Sequence, residues 1–155
     1  YYVMSKADLE KNISLTLVPY GNAHIDGETK NITCQHGEKE CHFNFYEGCI
    51  IAKGGQDQIQ TFRAIAELEG AAEMSDDVAE QACKKFGLDF DKISACRNSD
   101  EAYEVQKRFA RMTEDARQGF EKKYVPWIVI NGEHIDGDDF ADVLCKALDK
   151  DPHKS

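Results

Sequence analysis

The chain has 155 residues, 41% of them hydrophobic, which is the size of one ordinary domain able to bury a core without a metal to hold it together. Its formal net charge of -10 disfavours nucleic acid and anionic membranes as partners, since both require a basic surface that displaces counterions. No apolar run approaches the roughly 20 residues of a membrane span, so none is expected.

Residues 1–11 place Tyr2, Val3, Ala7 and Leu9 among Lys, Asp and Glu, which fits the last turns of an amphipathic helix beginning before Tyr1. Residues 13–18 alternate apolar and polar types, are rich in β-branched residues and stop at Pro19, which predicts a strand; a short extended piece follows near residues 29–33. Over residues 41–53, Phe43, Tyr46, Cys49 and Ile50 fall at helical spacing, and Gly54 and Gly55 close the segment. Residues 58–68, 77–86 and 90–96 read as three short helices, and 100–120 as the longest, with Tyr103, Val105, Phe109, Met112 and Ala116 available for burial. Ser75 with Asp76 and Asp77, and Asn98 with Ser99 and Asp100, offer N-cap oxygens to the free amides of a first turn. The period then changes. Trp127, Ile128, Val129 and Ile130 form a continuous apolar run before Asn131-Gly132, a strong turn signal, and a brief return at His134-Ile135, which together predict a β-hairpin. A last helix starts near Asp138-Asp139 with Phe140, Val143, Leu144 and Leu148 on one face, and residues 151–155 form a tail.

Six cysteines, an even number, and two sequons at Asn12 and Asn31 point to an oxidising, glycosylating compartment. Structural disulfides are the expected use of Cys34, Cys41, Cys49, Cys83, Cys96 and Cys145, with 15 pairings possible. Cys83 and Cys96 sit on consecutive short helices and make the favoured pair. Cys34 with Cys41, or either with Cys49, comes next, and Cys145, placed on the buried side of the last helix, bridges to the remaining member or stays free. Zinc is the alternative use of Cys34, His36, Cys41 and His42, but adjacent residues such as Cys41 and His42 rarely face one ion, so no metal is expected. Gly37 is expected to take a backbone angle closed to other residues, with His36 hydrogen-bonding locally.

Cys34, Gln35, His36, Gly37, Glu40, Cys41, Asn44 and Cys49 together spell the pattern CQHGxxECxxNxxxxC. That pattern resembles the signature of the gamma-interferon-inducible lysosomal thiol reductase (GILT) family at every defined position. The stretches 17–23 and 124–132 are similar too, so the likeness spans about residues 13–148. It implies an α/β class and a thioredoxin-like fold with a helical insertion, DsbA-like, in which residues 1–150 are a single domain carrying the insertion at about 56–121. It implies a disulfide reductase that acts on disulfide-containing protein substrates in a lysosomal or secreted, extracellular setting, with no cofactor beyond a reductant. Such an enzyme attacks with a Cys-x-x-Cys pair at a helix start. No two cysteines here have that spacing, so no catalytic residue is assigned in this chain; the dithiol and the first strand are expected upstream of Tyr1. Val125 and Pro126 resemble the cis-proline loop that faces the dithiol in thioredoxin-like proteins. Lacking that strand, the sheet would expose unpaired edges, so self-association or a borrowed strand is expected. The alternative is a redox-inactive secreted glycoprotein or binding module on the same scaffold.

Overall fold

The computed structural model describes residues 13–55, 57–73, 75–120 and 124–149; the helix expected at 1–11, the sequon at Asn12 and the tail at 151–155 lie outside them. These residues form a helix-rich mixture of α and β structure with two separate two-stranded sheets. They divide into two compact units, one within Leu15–Gln118 and one made of the described residues from Gly119 onward with Ile13 and Ser14. No helix among the described residues is long and apolar enough to cross a membrane.

The larger unit opens with an antiparallel pair, β1 (His24–Ile25) and β2 (Ile32–Thr33), in register His24 to Thr33 and Ile25 to Ile32. Five helices follow: α1 (Glu38–Lys53), α2 (Gln58–Glu69), α3 (Asp76–Lys85), α4 (Phe90–Arg97) and α5 (Asp100–Ala116). The starts of the last four are set by side chains that accept from free first-turn amides: Asp57 from Ile59 and Gln60, Ser75 from Val78, Asp89 from Lys92 and Ser99 from Glu101. Central α1 packs against α2, α4 and α5. It supplies Phe43, Tyr46, Cys49 and Ile50 to a core completed by Ala64, Leu68, Ala79, Cys83, Ile93 and Cys96. A second cluster joins Tyr20 to Val105 and Phe109 of α5.

Residues 13–18 are a correction. Alternate side chains there are half-buried and exposed as in a strand, yet no ladder forms, and the Leu15 amide donates to Gln58 Oε1 at 3.0 Å instead. A strand exists by pairing, and no neighbouring strand among the described residues offers it a partner.

The smaller unit is built on the hairpin of β3 (Ile128–Ile130) and β4 (Glu133–Ile135), in register Ile128 to Ile135 and Ile130 to Glu133. Asn131 (φ 50°) and Gly132 (φ 88°) both take positive φ, the requirement of the tight turn whose twist matches two antiparallel strands. A 3₁₀ turn, Gly137–Asp139, leads into α6 (Phe140–Asp149), which contacts β3 and buries Leu148.

Candidate functional site

The eight residues of the cysteine motif occupy one turn and α1 as far as Cys49. Cys34 and Cys41 are bonded to each other at 2.08 Å, closing a loop of seven residues' separation. Inside it the Gly37 amide donates to the Cys34 carbonyl, and Gly37 itself has φ 91°, a conformation closed to most side chains. The glycine N-cap has no side chain to offer the first-turn amides; Glu40 fixes the loop ahead of the helix, its carboxylate accepting from the His36 amide at 2.6 Å and lying 3.2 Å from His36 Nδ1. Glu38 and Glu40 also place negative charge where the helix dipole is positive, which is why α1 starts at Glu38, ahead of the expected Cys41. Gln35 Oε1 accepts from Asn22 Nδ2 at 3.0 Å, tying the loop to the turn before β1. Asn44 is buried; its Nδ2 points at Cys34 Sγ at 3.7 Å and its carbonyl accepts from Gln106 Nε2 of α5 at 2.5 Å. Gln35, His36, Gly37, Glu40 and Asn44 thus hold the turn that presents the Cys34–Cys41 disulfide.

The second disulfide joins Cys49 of α1 to Cys96 of α4, so the favoured pairing of Cys83 with Cys96 is overturned. Adjacency of α3 and α4 in the chain suggested that pair, whereas the central position of α1 brings Cys49 against Cys96 across 47 residues. Cys83 stays a free thiol, fully buried, and burial pushes its pKa up to about 11, so it is a poor nucleophile. Cys145 is free as well; the expectation that it lies on the buried side of the last helix is corrected, since it is exposed. The sulfurs of Cys34 and Cys41, which a zinc site would take as thiolates, are committed to each other.

Beside the motif, α1 and α3 form a polar cluster that spacing did not disclose. His42 Nε2 lies 3.1 Å from Asp76 Oδ1, which also accepts from the Tyr46 hydroxyl at 2.9 Å. Arg97 Nη2 is 3.3 Å from His42 Nδ1, and its guanidinium lies over the rings of Phe45 and Tyr46. An arginine only donates, so Nδ1 accepts and the proton of the neutral imidazole sits on Nε2, toward Asp76. The Tyr46 hydroxyl is pushed up to about 12, by burial first and then by the Asp76 hydrogen bond. A shallow depression of about 280 Å³ lined by Glu38, Lys39, His42, Ser75 and Asp76 lies here. The partners are 30 to 55 residues apart, so no local pattern could reveal them.

In the smaller unit the Val125–Pro126 bond is cis. Tyr124, immediately before it, donates to Asp136 Oδ1 at 2.5 Å and meets His134 Nε2 at 3.0 Å. The Asp136 hydrogen bond raises the Tyr124 pKa. With the hydroxyl proton given to Asp136, His134 serves as the donor through Nε2. Trp127 stacks on His134 at 3.8 Å between ring centroids, and Phe120 meets Trp127 edge-on at 4.9 Å. Phe120, Tyr124 and Val125 remain exposed.

Asn31 is exposed in the loop between β1 and β2. Two of the described thiols are free, four are in disulfides, and none belongs to a Cys-x-x-Cys pair.

Comparison with known proteins places these features among relatives. The family model described as gamma interferon inducible lysosomal thiol reductase (GILT) matches residues 1–86. The gamma-interferon-inducible lysosomal thiol reductase of Carassius auratus is 36% identical over 131 residues, 80% of this chain and 49% of that protein. The gamma-interferon-responsive lysosomal thiol protein of Arabidopsis thaliana is 31% identical over 145 residues, 90% of this chain and 58% of that protein. The thiol reductase of the same name from Mus musculus is 29% identical over 147 residues, 86% and 54% respectively. The chain spans about half the length of these curated relatives.

Proposed function

Because this chain belongs to the gamma-interferon-inducible lysosomal thiol reductase family, we propose that it is the scaffold portion of a thiol–disulfide oxidoreductase acting on disulfide-containing proteins. The observation that carries this reading is the complete cysteine motif, folded as a disulfide-closed turn at the start of the central helix. In this proposal residues 1–150 belong to one thioredoxin-like domain with a helical insertion at about 56–121, and the reactive dithiol comes from sequence outside the 155 residues. One thiolate of that dithiol attacks a substrate sulfur, forming a mixed disulfide and releasing the other substrate sulfur as a thiol. The second thiolate then attacks the first enzyme sulfur and displaces the substrate's remaining sulfur, leaving the substrate a dithiol and the enzyme a disulfide until an external reductant restores it. No metal or organic cofactor is needed.

The six cysteines of the chain take no part in that exchange: four are locked in disulfides, Cys83 is sealed, and Cys145 lies on the last helix. The loop at Val125 and Pro126 is the remaining element through which, by family resemblance, substrate backbone would be held. The relatives' names support a lysosomal setting, and the two disulfides and exposed Asn31 fit any oxidising secretory or extracellular one. Among the described residues the outer edges of β3 and β4 have no partner strand, and they would accept one from the rest of the protein or from a second copy.

The test is reduction of a disulfide-bonded protein by the full-length protein in acid, with its Cys-x-x-Cys cysteines changed to serine as control. Turnover that vanishes in the control is expected. A full-length protein without such a pair, or without turnover, would sink the enzyme reading. It would leave the second one, a redox-inactive glycoprotein, which the absence of Cys-x-x-Cys in these 155 residues motivates.

A further inference from the structure

Glu47 stands one turn after Phe43 in the central helix α1 and is 1% exposed, among the most deeply buried side chains of the larger unit. A buried glutamate normally carries a cation or a set of donors with it, because a bare carboxylate cannot be taken out of water cheaply. Glu47 has neither. Its Oε1 has no hydrogen-bond partner among the described residues, and the group that faces its carboxyl is another carboxyl, that of Glu69 at the end of α2. Two ionised carboxylates facing each other with no donor between them repel, which favours a proton on one of them. Glu69 is exposed, so it is on the buried Glu47 that the neutral form is favoured.

The cations on the surrounding helices are engaged elsewhere. Lys85 of α3 pairs with Glu67 of α2, Lys53 of α1 pairs with Glu101 of α5, and Arg97 of α4 lies at His42 and the rings of Phe45 and Tyr46. From α5 the nearest buried polar group is the neutral Gln106, which gives its amide to Asn44, and α3 contributes the neutral Cys83 thiol. The influences on its carboxyl are burial first, then the Glu69 charge and hydrogen bond, and all push its pKa well above the ordinary glutamate range.

We propose that Glu47 is a built-in pH sensor of the larger unit: protonated in the folded protein, it makes the packing of α1 on α2 strongest in acid and progressively weaker toward neutral pH. The sign follows from linkage. Between the unfolded glutamate pKa, roughly 4.3, and the higher folded value, the folded state binds the proton and the unfolded state does not. Stability from this site is therefore fully present below the unfolded pKa and is lost as pH rises through the folded one. This inference stands whether or not the chain is part of a reductase.

Denaturant unfolding of the whole chain across acidic to neutral pH, wild type beside Glu47→Gln, tests it. Glutamine keeps the shape and the donor of the protonated acid but cannot ionise. The ratio of wild-type to variant unfolding constants is expected to rise with pH above the ordinary glutamate range, by at most about tenfold per pH unit, the slope of one proton. Glu69→Gln should lessen the rise by removing the facing charge. A ratio that stays flat with pH overturns the proposal. Should Glu47→Gln not fold, ¹³C NMR titration of the Glu47 carboxyl in the native wild type decides: a midpoint above the glutamate range supports the sensor, and one within that range refutes it.

Discussion

The two units solve the problem of small size in opposite ways. The larger one encloses a continuous core around α1, caps four helices with side-chain oxygens and ties α1 to α4, and its own start to the turn before it, with disulfides. The smaller one has a single fully buried residue among its described hydrophobics, Leu148, and holds its hairpin by ring contacts and exposed hydrogen bonds around Trp127, His134 and Tyr124. Substitutions should therefore cost stability steeply in the first and little in the second. The difference also explains why the family motif lies in the first: Gly37, Glu40 and Asn44 are needed to build a turn and a helix start, whatever chemistry is done elsewhere.

The sharpest test is the pair of disulfides. Changing Cys49 and Cys96 to alanine removes a link across 47 residues and should cost about 4 kcal/mol by the loop-entropy relation. Changing Cys34 and Cys41, only seven apart, should cost about 2.5 kcal/mol. Denaturant midpoints followed by far-ultraviolet circular dichroism, which reports the helices, will rank them. If the short loop proves the costlier to open, the long bridge is not what consolidates the core. Next comes Gly48→Ala. A Cβ at Gly48 would sit 3.0 Å from both Gln106 Nε2 and Val105 Cγ1, and Gln106 is held in place by Asn44. Overpacking of this kind costs about 1–3 kcal/mol, read on the same helical signal.

The residues that could be read in advance are those whose role is local. Ser75 and Ser99 cap helices because their oxygens reach amides two or three residues on, and Asn131-Gly132 turns the hairpin because of its own φ preferences. What could not be read was set by packing at long range. The Cys49–Cys96 bridge depends on α1 lying at the centre of the unit, and His42, Asp76 and Arg97 meet only once three helices have assembled. Residues 13–18 carried a strand's alternation, but a ladder needs a partner strand as well. Glu47 looked like any polar residue in an amphipathic helix; its burial follows from how α2 covers α1. Ser75→Ala then gauges how much a locally encoded feature contributes: losing the oxygen that accepts from Val78 should cost about 1 kcal/mol, less than the core changes above.

The smallest effect on stability is expected in the hairpin, from Tyr124→Phe. The ring keeps its place beside Trp127 and His134, and only the hydroxyl that bridges His134 Nε2 and Asp136 Oδ1 is lost, at a position open to water. Water can replace both hydrogen bonds, so the helical unfolding midpoint should stay where it is. The local change should still be visible, because Trp127 is the only tryptophan in the chain and stacks directly on His134. Freed from Tyr124, the imidazole can move against the indole, so the variant's Trp127 emission should differ from the wild type's. A midpoint loss as large as that of Ser75→Ala would mean that the aromatic cluster carries stability of its own, and the division between a consolidated helical unit and a lightly held hairpin would have to be redrawn.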